Sequence, residues 1–485
     1  MPESRPHSIA PSRPARRWPA TLLLVALLAA CGGGATTSGP AASSGAPTAA
    51  STATTAPAAA VPTGTTATTP GGGTSAATTT RTTSTGAGGG TSAATTTRTT
   101  STGATGTPTG AATPAASAPT GPLQPQTVKV PARQGQAELS QERTLNLPVG
   151  FQVGVFQGGL GNARLLTWSP EGALVVSEQG SKGRVTILAD TNGDGVADGR
   201  TVFADGLNNP HGLAFHDGYL YIAGSTQVIR YRWQGGAAAQ GAAETIVDNI
   251  PTGGHATRTI VFGQDNKLYL AVGSSCNVCK ETSPLRAAIW QYNADGSGGR
   301  LYARGLRNAV GLAWQPGTAN LYATTNGRDG LGDNIPPETI NLISAGNDYG
   351  WPYCHNGTIV DPEFGKLGHC AGVTRPAVEM QAHSAPLGLA FASGGMLPAG
   401  YSGDLFVAFH GSWNRSEKTG YKIARIRFAN GQPTGQVEDF LTGWLSTSDG
   451  SSWGRPVDVS IGPDGALYVS DDALGVIYRV AYAGR

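Results

Sequence analysis

Several features that mark other protein classes are missing from this 485-residue chain. It has no run of lysines and arginines that suggests nucleic-acid binding, and its formal net charge is only +2. It has no long stretch of helical periodicity, which argues against a helical fold. The apolar run at residues 20–30 is too short to span a bilayer, for which about 20 residues are needed. What remains is a glycine-rich chain in which Gly, Pro, Asn and Asp turns recur every few residues, a composition typical of all-β proteins.

The apolar run nevertheless lies in a pattern typical of export. Arg13, Arg16 and Arg17 precede it, and Cys31 follows it. Residues 28–31, Leu-Ala-Ala-Cys, resemble a bacterial lipobox, in which the cysteine is lipidated. We therefore expect residues 1–30 to be a lipoprotein signal peptide, with an ordinary secretory signal as the alternative. This predicts a cell-envelope protein, lipid-anchored on the outer face of the cytoplasmic membrane or in the periplasm or outer membrane.

Large side chains are nearly absent from residues 31–122, which are mostly Gly, Ala, Ser, Thr and Pro. The segment 71–87 recurs unchanged at 88–104. Such a tract has too little to bury to offset the entropy lost on ordering. We predict a disordered tether here, followed by one folded domain at residues 123–485.

Within that domain, a pattern of apolar strand, Gly/Asp turn and second strand occurs six times, and a third strand candidate follows each occurrence. The first strands lie near residues 168, 215, 262, 314, 391 and 461. Repeats of roughly 50 residues with several strands each are typical of β-propellers. We therefore predict an all-β, six-bladed β-propeller with insertions in the fourth and fifth repeats. A solenoid or a sandwich is the alternative.

Cysteine is scarce, and the domain contains four: Cys276, Cys279, Cys354 and Cys370. An even number in an exported domain favours disulfides. The short separations favour the pairs Cys276–Cys279 and Cys354–Cys370. Lys280 follows Cys279 where c-type haem attachment requires histidine, so that attachment is excluded. A zinc site is the less favoured alternative.

Histidine and arginine recur just before the repeats, where the chain should surround one mouth of the propeller. They are Arg164, His211, His255, Arg258, Arg304, Arg307, His383 and Arg455. Several cations at one mouth would make a site for an anion. His255 follows a glycine pair at a strand entrance, where it could take up a proton near neutral pH. The alternative is that these residues are solvated strand ends without chemistry.

A separate calcium signal lies at residues 190–198. Oxygen-bearing side chains alternate along it, at Asp190, Asn192, Asp194 and Asp198. The pattern resembles a calcium loop of the EF-hand type, although its flanks are predicted strands. We expect a structural calcium ion here, and a polar hairpin is the alternative.

Four motifs carry a resemblance to a known family. They are His255 before residues 259–262, Gly-Leu-Arg-Asn at 305–308, residues 338–352, and Gly-Arg-Pro-Val-Asp-Val at 454–459. Over about residues 147–480 the chain resembles the pyrroloquinoline-quinone (PQQ) dependent glucose/sorbosone dehydrogenase family, whose fold is a six-bladed propeller. The Asn-Pro-His phrase at 209–211 and the Ser-Cys-x-x-Cys run are closer to the sorbosone-dehydrogenase branch.

The resemblance implies an enzyme that oxidises a CH–OH group of an aldose or sorbosone-like sugar, with hydride passing to PQQ. Arg307, Asn308 and Arg455 would hold the cofactor, and Arg415 is the candidate replacement for a lysine of the family. His255 would be the general base, helped by an acidic partner. Calcium held by the carbonyls of Gly327 and Arg328 would polarise the quinone, although the family has Gly-Pro there. Electrons would leave to a membrane quinone or another acceptor.

Two other functions stay open on sequence alone. One is a calcium-dependent hydrolase of the lactonase type, in which His255 would activate water. That site would need carboxylates and asparagines around the metal, whereas the predicted mouth is rich in arginine. The other is a catalytically silent propeller that binds a ligand or partner at the cell surface.

Overall fold

The computed structural model describes residues 121–135 and 139–484. The predicted signal peptide, Cys31 and almost all of the predicted tether lie outside this part of the chain. The described residues form six four-stranded antiparallel sheets and two small two-stranded ones, which confirms the predicted six-bladed propeller. Among them, no helix combines the length and apolarity needed to cross a membrane.

The first strands of the described chain pair with each other as a short hairpin outside the blades. They are β1 (Gln124–Thr127) and β2 (Thr144–Leu147). The next strand is β3 (Phe151–Gln157), which joins the last blade. Short 3-10 helices lie in connections, among them Ala132–Gln134, Gly365–Leu367 and Ala399–Tyr401.

Blades 1 to 3 each consist of four strands that follow one another in the chain. Blade 1 contains β4 (Asn162–Trp168), β5 (Leu174–Gln179), β6 (Gly183–Ala189) and β7 (Gly199–Leu207). Blade 2 contains β8 (Gly212–His216), β9 (Tyr219–Ala223), β10 (Val228–Arg232) and β11 (Glu244–Val247). Blade 3 contains β12 (Arg258–Phe262), β13 (Lys267–Val272), β14 (Ala288–Asn293) and β15 (Arg300–Arg304).

Blades 4 to 6 depart from this simple order. Blade 4 contains β16 (Ala309–Trp314), β17 (Leu321–Thr325), β18 (Glu338–Ile343) and β21 (Val378–Met380), with a hairpin of β19 (Cys354–His355) and β20 (Ile359–Val360) inserted. Blade 5 contains β22 (Pro386–Phe391), β23 (Leu405–Phe409), β24 (Lys422–Ala429) and β25 (Gln432–Leu441). Blade 6 contains β26 (Pro456–Ile461), β27 (Leu467–Asp471), β28 (Val476–Tyr482) and β3.

The innermost strands form a closed ring, in which β4, β8, β12, β16, β22 and β26 each pack against the next, and β26 packs against β4. Glycines in the repeated Gly-Leu-Ala phrase permit this close approach. A Cβ atom on Gly212 would lie 2.5 Å from the carbonyl oxygen of Arg258 in the next blade, and one on Gly311 would lie 2.2 Å from that of Leu387. Any side chain at these positions would push neighbouring blades apart.

The hydrophobic core is divided among the interfaces between blades. Blades 1 and 2, for example, share a cluster that includes Val175, Ile187, Leu213 and Ile222. Blades 2 and 3 share another, centred on Tyr221 and Leu270. Because each sheet buries both faces against its neighbours, its stability depends on an unbroken ring of blades.

Both predicted disulfides are present in the structure. Cys276–Cys279 closes a four-residue ring in the connection between β13 and β14. Cys354–Cys370 staples the insertion of blade 4. The first disulfide lies beside the histidine and arginine residues that were predicted to converge.

Candidate active site

His255 lies on the loop before β12, where Ser274 holds it twice. Its backbone amide donates to the Ser274 carbonyl at 3.0 Å, and its Nδ1 lies 3.0 Å from that carbonyl oxygen and 2.9 Å from the Ser274 hydroxyl. The hydroxyl proton goes to the carbonyl of Cys276 at 2.7 Å. Both Ser274 oxygens therefore accept, so Nδ1 carries the imidazole proton and Nε2 carries the lone pair. The expected acidic partner of His255 is replaced by a serine, because only neutral oxygens reach Nδ1.

Nε2 of His255 has no hydrogen-bond partner in the described part of the chain. Burial and the nearby charge of Arg307 lower the pKa of His255 to about 4. The ring is therefore neutral at neutral pH and ready to accept a proton. An anion that neutralised Arg307 would raise this pKa and make Nε2 a stronger base.

Arg258 and Arg286 support the His255 loop from behind. Arg258 is fully buried and donates to the carbonyls of His255 and Thr257 at 2.8 and 2.7 Å. Both arginines donate to the carbonyl of Pro251. Arg258 therefore shapes the loop, and the expectation that it helps to bind an anion at the mouth is wrong.

Arg307 is the centre of a network that joins blades 3, 4 and 5. Its Nε and Nη2 donate to the backbone and side-chain oxygens of Asn277 at 2.9 and 3.0 Å, and Nη2 also pairs with Asp329 at 2.9 Å. The other Asp329 oxygen accepts from Asn414 at 2.7 Å, and the Asn414 amide lies 3.2 Å from Nδ1 of His383. The predicted convergence of Arg307 and His383 thus occurs through residues that the prediction did not include.

Asn308 faces the same place as His255. Its amide nitrogen donates to Asn326 at 3.2 Å. Gly273 lies between Asn308 and His255. A Cβ atom on Gly273 would lie 2.4 Å from Oδ1 of Asn308 and 2.6 Å from Cβ of His255. The absence of a side chain at this position lets the proposed base and the asparagine come together.

A second network lies on the blade 6 side of the mouth. Nη2 of Arg455 donates to Nδ1 of His410 at 2.9 Å, and Nε2 of His410 contacts Asp472 at 3.0 Å. Arg164 pairs with the same carboxylate at 2.6 Å. Arginine can only donate, so Nδ1 of His410 accepts and Nε2 carries the proton. Arg455 is exposed, and its Nε and Nη1 have no protein acceptor among the described residues.

The loop after β17 contains the two proposed carbonyl ligands of calcium, Gly327 and Arg328. Neither carbonyl accepts a hydrogen bond from residues 121–135 or 139–484. The Arg328 side chain points into the insertion of blade 4, where it pairs with Asp361 at 2.5 Å and Glu363 at 2.8 Å. The loop is therefore anchored by its side chain, while both main-chain oxygens remain available.

Arg415 does not reach the Arg307 network. Its guanidinium donates to the carbonyl of Asp333, and its Nε donates to that of Glu417 at 3.1 Å. Arg415 thus fastens its own loop, and its neighbour Asn414 is the residue that contacts Asp329. Arg304 does not join the Arg307 network either, because it pairs with Asp348 at 2.8 Å on the surface.

The acidic loop at residues 190–198 has a protein cation as its partner. Arg133 contacts Asp194 at 2.7 Å and Asp198 at 3.3 Å. Asp190 instead accepts the amides of Gly193 and Gly195, both at 2.8 Å. The predicted ligands therefore bind a guanidinium and the loop's own amides in this structure, since Arg133 reaches them from a distant part of the chain.

Several site residues were missed by sequence reasoning: Ser274, Asn277, Asn326, Asp329, His410, Asn414 and Asp472. Four of them share a signal that was available. Asn326, His410 and Asp472 directly follow the second strand of a blade, and Ser274 follows it by one residue. In an antiparallel hairpin the end of the second strand lies beside the start of the first, so both positions line the same mouth.

The mouth therefore contains carboxylates and amides as well as arginines. Each of Asp329 and Asp472 is bound to an arginine. In the described part of the chain, the one group of three metal-ligating side chains within 4.8 Å of one another is Cys276, Cys279 and Glu281, and its cysteines form a disulfide. No acidic cage of the kind that a lactonase-type hydrolase requires is formed at the described mouth.

A comparison with known families places the chain. The model described as TrAA12-like matches residues 145–363 and 365–483. The chain belongs to the TrAA12-like family. Relatives of this TrAA12-like chain include proteins described as PQQ-dependent sugar dehydrogenases, which confirms the family resemblance drawn from the motifs.

One relative of the TrAA12-like chain is an uncharacterised protein of Borreliella burgdorferi, 31% identical over 365 residues that cover 70% of this chain and 91% of the relative. Another is the pyrroloquinoline quinone-dependent pyranose dehydrogenase of Coprinopsis cinerea, 27% identical over 405 residues, with 69% of this chain covered. The match spans 54% of that protein, so the chain corresponds to about half of it.

A solved structure similar to the TrAA12-like chain is the holo form of the PQQ domain of the Coprinopsis cinerea pyranose dehydrogenase. The two superpose with a TM-score of 0.61 at 23% identity. The match covers 73% of this chain and 98% of that domain. This likeness supports the propeller fold.

Proposed function

We propose that this TrAA12-like protein is a PQQ-dependent oxidoreductase that oxidises a CH–OH group of a sugar of the aldose or sorbosone type. The observation that carries the proposal is His255, whose Nε2 is unprotonated and accepts no hydrogen bond from the described residues, with Arg307 and Asn308 nearby. The names of the relatives, pyranose and sugar dehydrogenases that depend on PQQ, support the same reaction class.

The donors at the mouth fit PQQ, a planar tricarboxylate. Nη2 of Arg455 gives one of its two protons to His410, and Nε and Nη1 have no protein acceptor among the described residues. The second Nη2 proton, together with that of Nε or of Nη1, can therefore hold a carboxylate with two parallel hydrogen bonds. On the other side, Arg307 and Asn308 are oriented by Asn277 and Asn326. An anion bound between Arg455 and Arg307 would also balance the positive charges that lower the pKa of His255.

In this proposal the chain's own residues move and stabilise the proton. Nε2 of His255 removes the hydroxyl proton of the sugar, while Nδ1 keeps its own proton and continues to donate it to Ser274, so the imidazolium keeps its orientation. Bound PQQ would supply the acceptor for the hydride. The buried arginines behind the loop keep His255 in place throughout.

The carbonyls of Gly327 and Arg328 suit a hard cation, which prefers oxygen ligands. Calcium held there would supply Lewis-acid polarisation of the bound quinone. Glu338 holds this loop in place, because its carboxyl group accepts a hydrogen bond from the Gly327 amide at 2.7 Å. We propose that calcium is part of the loaded site.

The test is reconstitution of the purified protein with PQQ and calcium, followed by dye reduction with a panel of aldoses. We expect a PQQ absorption spectrum that survives gel filtration, and sugar-dependent dye reduction that disappears when a chelator is present. A protein that neither retains PQQ nor reduces dye would contradict the proposal.

We further propose that Cys31 is lipidated and that residues 31–122 tether the domain in the cell envelope, where a membrane quinone or another acceptor could take the electrons. The lipobox-like sequence and the composition of the tether support this. Cys31→Ser should move the protein from the membrane fraction to the soluble fraction. Unchanged fractionation, with no incorporation of labelled palmitate in the wild type, would contradict lipid anchoring.

A further inference from the structure

Four residues closed by one disulfide lie between the two groups on which the proposed function depends. The ring Cys276–Cys279 is part of the connection between β13 and β14, next to His255 and Arg307. In the proposed reaction this ring contributes no base and no cofactor-binding charge. Residues of the ring nevertheless contact Arg307 directly and His255 through Ser274.

Asn277, inside the ring, makes the contacts to Arg307. Its backbone oxygen accepts from Nε of Arg307 at 2.9 Å and from the indole of Trp351 at 3.3 Å. Its side-chain oxygen accepts from Nη2 of Arg307 at 3.0 Å and from the Asp329 amide at 2.8 Å. Its amide nitrogen donates to the Asp329 carbonyl at 3.0 Å. One residue thus fixes the plane of the guanidinium and the position of its counter-ion.

Cys276 makes the contact to His255. Its carbonyl accepts the hydroxyl proton of Ser274 at 2.7 Å. This acceptor leaves the Ser274 oxygen as an acceptor for Nδ1 of His255 at 2.9 Å, which determines the tautomer of the ring. The same four residues therefore orient the proposed base and the proposed cofactor-binding arginine.

The two disulfides differ in their accessibility. Cys276 and Cys279 are half-buried, and Asn277 between them is exposed. Cys354 in the other disulfide has no exposed surface. A thiol reductant in solution can therefore reach the ring, while the disulfide of the insertion is protected on one side.

We propose that the Cys276–Cys279 ring is a positioning element for His255 and Arg307, and that its reduction weakens binding of the anionic cofactor. Two thiols of a reductant give two electrons and two protons to the Sγ–Sγ bond, which leaves two cysteine thiols and the disulfide of the reductant. The opened loop regains backbone freedom, and ordering Asn277 on Arg307 then costs conformational entropy. The proposed cofactor binding is the premise of this inference.

The experiment compares oxidised and reduced apoprotein. Mild dithiol treatment, followed by alkylation and mass spectrometry, selects conditions that open Cys276–Cys279 and leave Cys354–Cys370 closed. PQQ titration should then show a dissociation constant about ten- to a hundredfold higher, by analogy with the loss of residues that orient metal ligands. Hydrogen exchange in the apoprotein should accelerate at residues 273–281 and 305–308. Reoxidation should reverse both changes.

Matched variants separate positioning from general damage. The double variant Cys276→Ser/Cys279→Ser should show the weak affinity of the reduced protein and no response to reductant. Asn277→Ala should weaken binding in both redox states, whereas Asn277→Gln keeps an amide oxygen for Arg307 without adding charge and should recover part of the affinity. At saturating PQQ, turnover should fall less than affinity does.

Two different failures are distinguishable. If oxidised protein binds PQQ and the verified opening of the ring changes neither affinity nor exchange, the inference is wrong and the proposed function stands. If oxidised protein does not bind PQQ at all, the proposed function fails. In that case, hydrogen exchange at residues 273–281 and 305–308 still decides whether the ring orders this part of the molecule. Exchange rates that do not change when the ring is opened would overturn the positioning role.

Discussion

His255 has a defined tautomer because a neutral serine, rather than a carboxylate, faces its Nδ1. A carboxylate partner would stabilise the imidazolium and raise the pKa. Ser274 offers only uncharged oxygen acceptors. Burial and the charge of Arg307 therefore lower the pKa of His255 to about 4. The free protein therefore has an oriented but weak base, which gains strength when an anion balances the arginines.

Replacing the imidazole should remove catalysis and leave binding intact. His255→Ala should lower kcat by about 10² to 10⁴, the usual contribution of a general base, while PQQ affinity stays near the wild-type value. Arg307→Ala is the matched contrast and should weaken PQQ binding. Steady-state kinetics and PQQ titration of both variants check this, and a His255→Ala protein with the wild-type rate would exclude His255 as the base.

The titration of His255 in the apoprotein should respond to Arg307. Its ring should titrate at about pH 4, because burial and the cation disfavour the charged form. Arg307→Gln removes the cation, so the pKa should rise and the imidazolium should persist to higher pH. NMR of the labelled imidazole measures this directly. A pKa that is the same in both proteins would mean that Arg307 exerts no field on the base.

At this scale, the sequence predicted the cations better than their partners. His255, Arg307 and Arg455 were recognisable because each stands near the start of a blade's first strand. Asp329 carries no comparable local signal, and the position of Asp472 after a second strand does not reveal its partner, since both roles depend on which arginine another blade brings within reach. The Arg133 contact to residues 190–198 could not be foreseen for the same reason: about 60 residues separate the partners along the chain.

At the scale of the element, the insertion of blade 4 is held by a buried charge cluster. Asp361, which has no exposed side-chain surface, accepts from Arg328 at 2.5 Å and contacts Nε2 of His355 at 2.9 Å. Burial alone would raise the pKa of Asp361, but the amide of Phe364 and the Arg328 guanidinium hold it at about 2. The cluster ties the insertion to the loop that contains the two proposed calcium ligands.

Breaking this cluster should destabilise the domain strongly. Asp361→Asn leaves the Arg328 charge buried with less compensation, and should lower the free energy of unfolding by about 3–5 kcal/mol. Glu363→Gln removes the other carboxylate on the same arginine, which is 60% exposed, and should cost less than about 1 kcal/mol. Urea unfolding at neutral pH checks both values. Equal losses would contradict the difference in burial.

The same cluster gives the wild type a pH dependence. The folded pKa of Asp361 lies below its unfolded value, so its contribution to stability is present above about pH 4 and disappears as the pH falls towards 2. Asp361→Asn should flatten the stability profile over that interval. Thermal unfolding from pH 2 to 5 measures this, and parallel profiles for wild type and variant would exclude Asp361 as the responsible group.

The strands themselves were predictable in proportion to their burial. The first three strands of each blade are apolar and regularly spaced, and the repeat pattern located them in all six blades. The fourth strands of blades 1, 2, 3 and 5 were not identified, because they lie at the outer edge with mostly exposed residues, as β15 and β25 show. An exposed strand has no hydrophobic alternation to distinguish it from a polar loop.

At the scale of the whole molecule, the propeller closes by pairing the two ends of the domain. β3, from its N-terminal end, is the outer strand of blade 6 and pairs with β28, from its C-terminal end. The repeat pattern did not reveal this, because β3 precedes the first repeat and lacks its Gly/Asp turn. Phe151, Val153 and Val155 of β3 are each only 1% exposed, so the closing strand is also part of the core.

Closure predicts a sharp dependence on where the chain begins. A protein starting at Gly121 retains every strand that the described residues form and should unfold at the same temperature as the full chain. One starting at Gly158 loses β1, β2 and β3, leaves the edge of β28 unpaired and uncovers the core between blades 5 and 6. It should aggregate or melt without cooperativity, and a peptide spanning residues 144–158 should partly restore the transition by adding the missing strand. Calorimetry of the three proteins tests this, and cooperative melting of the shortest at an unchanged Tm would show that the ring is stable without its closing strand.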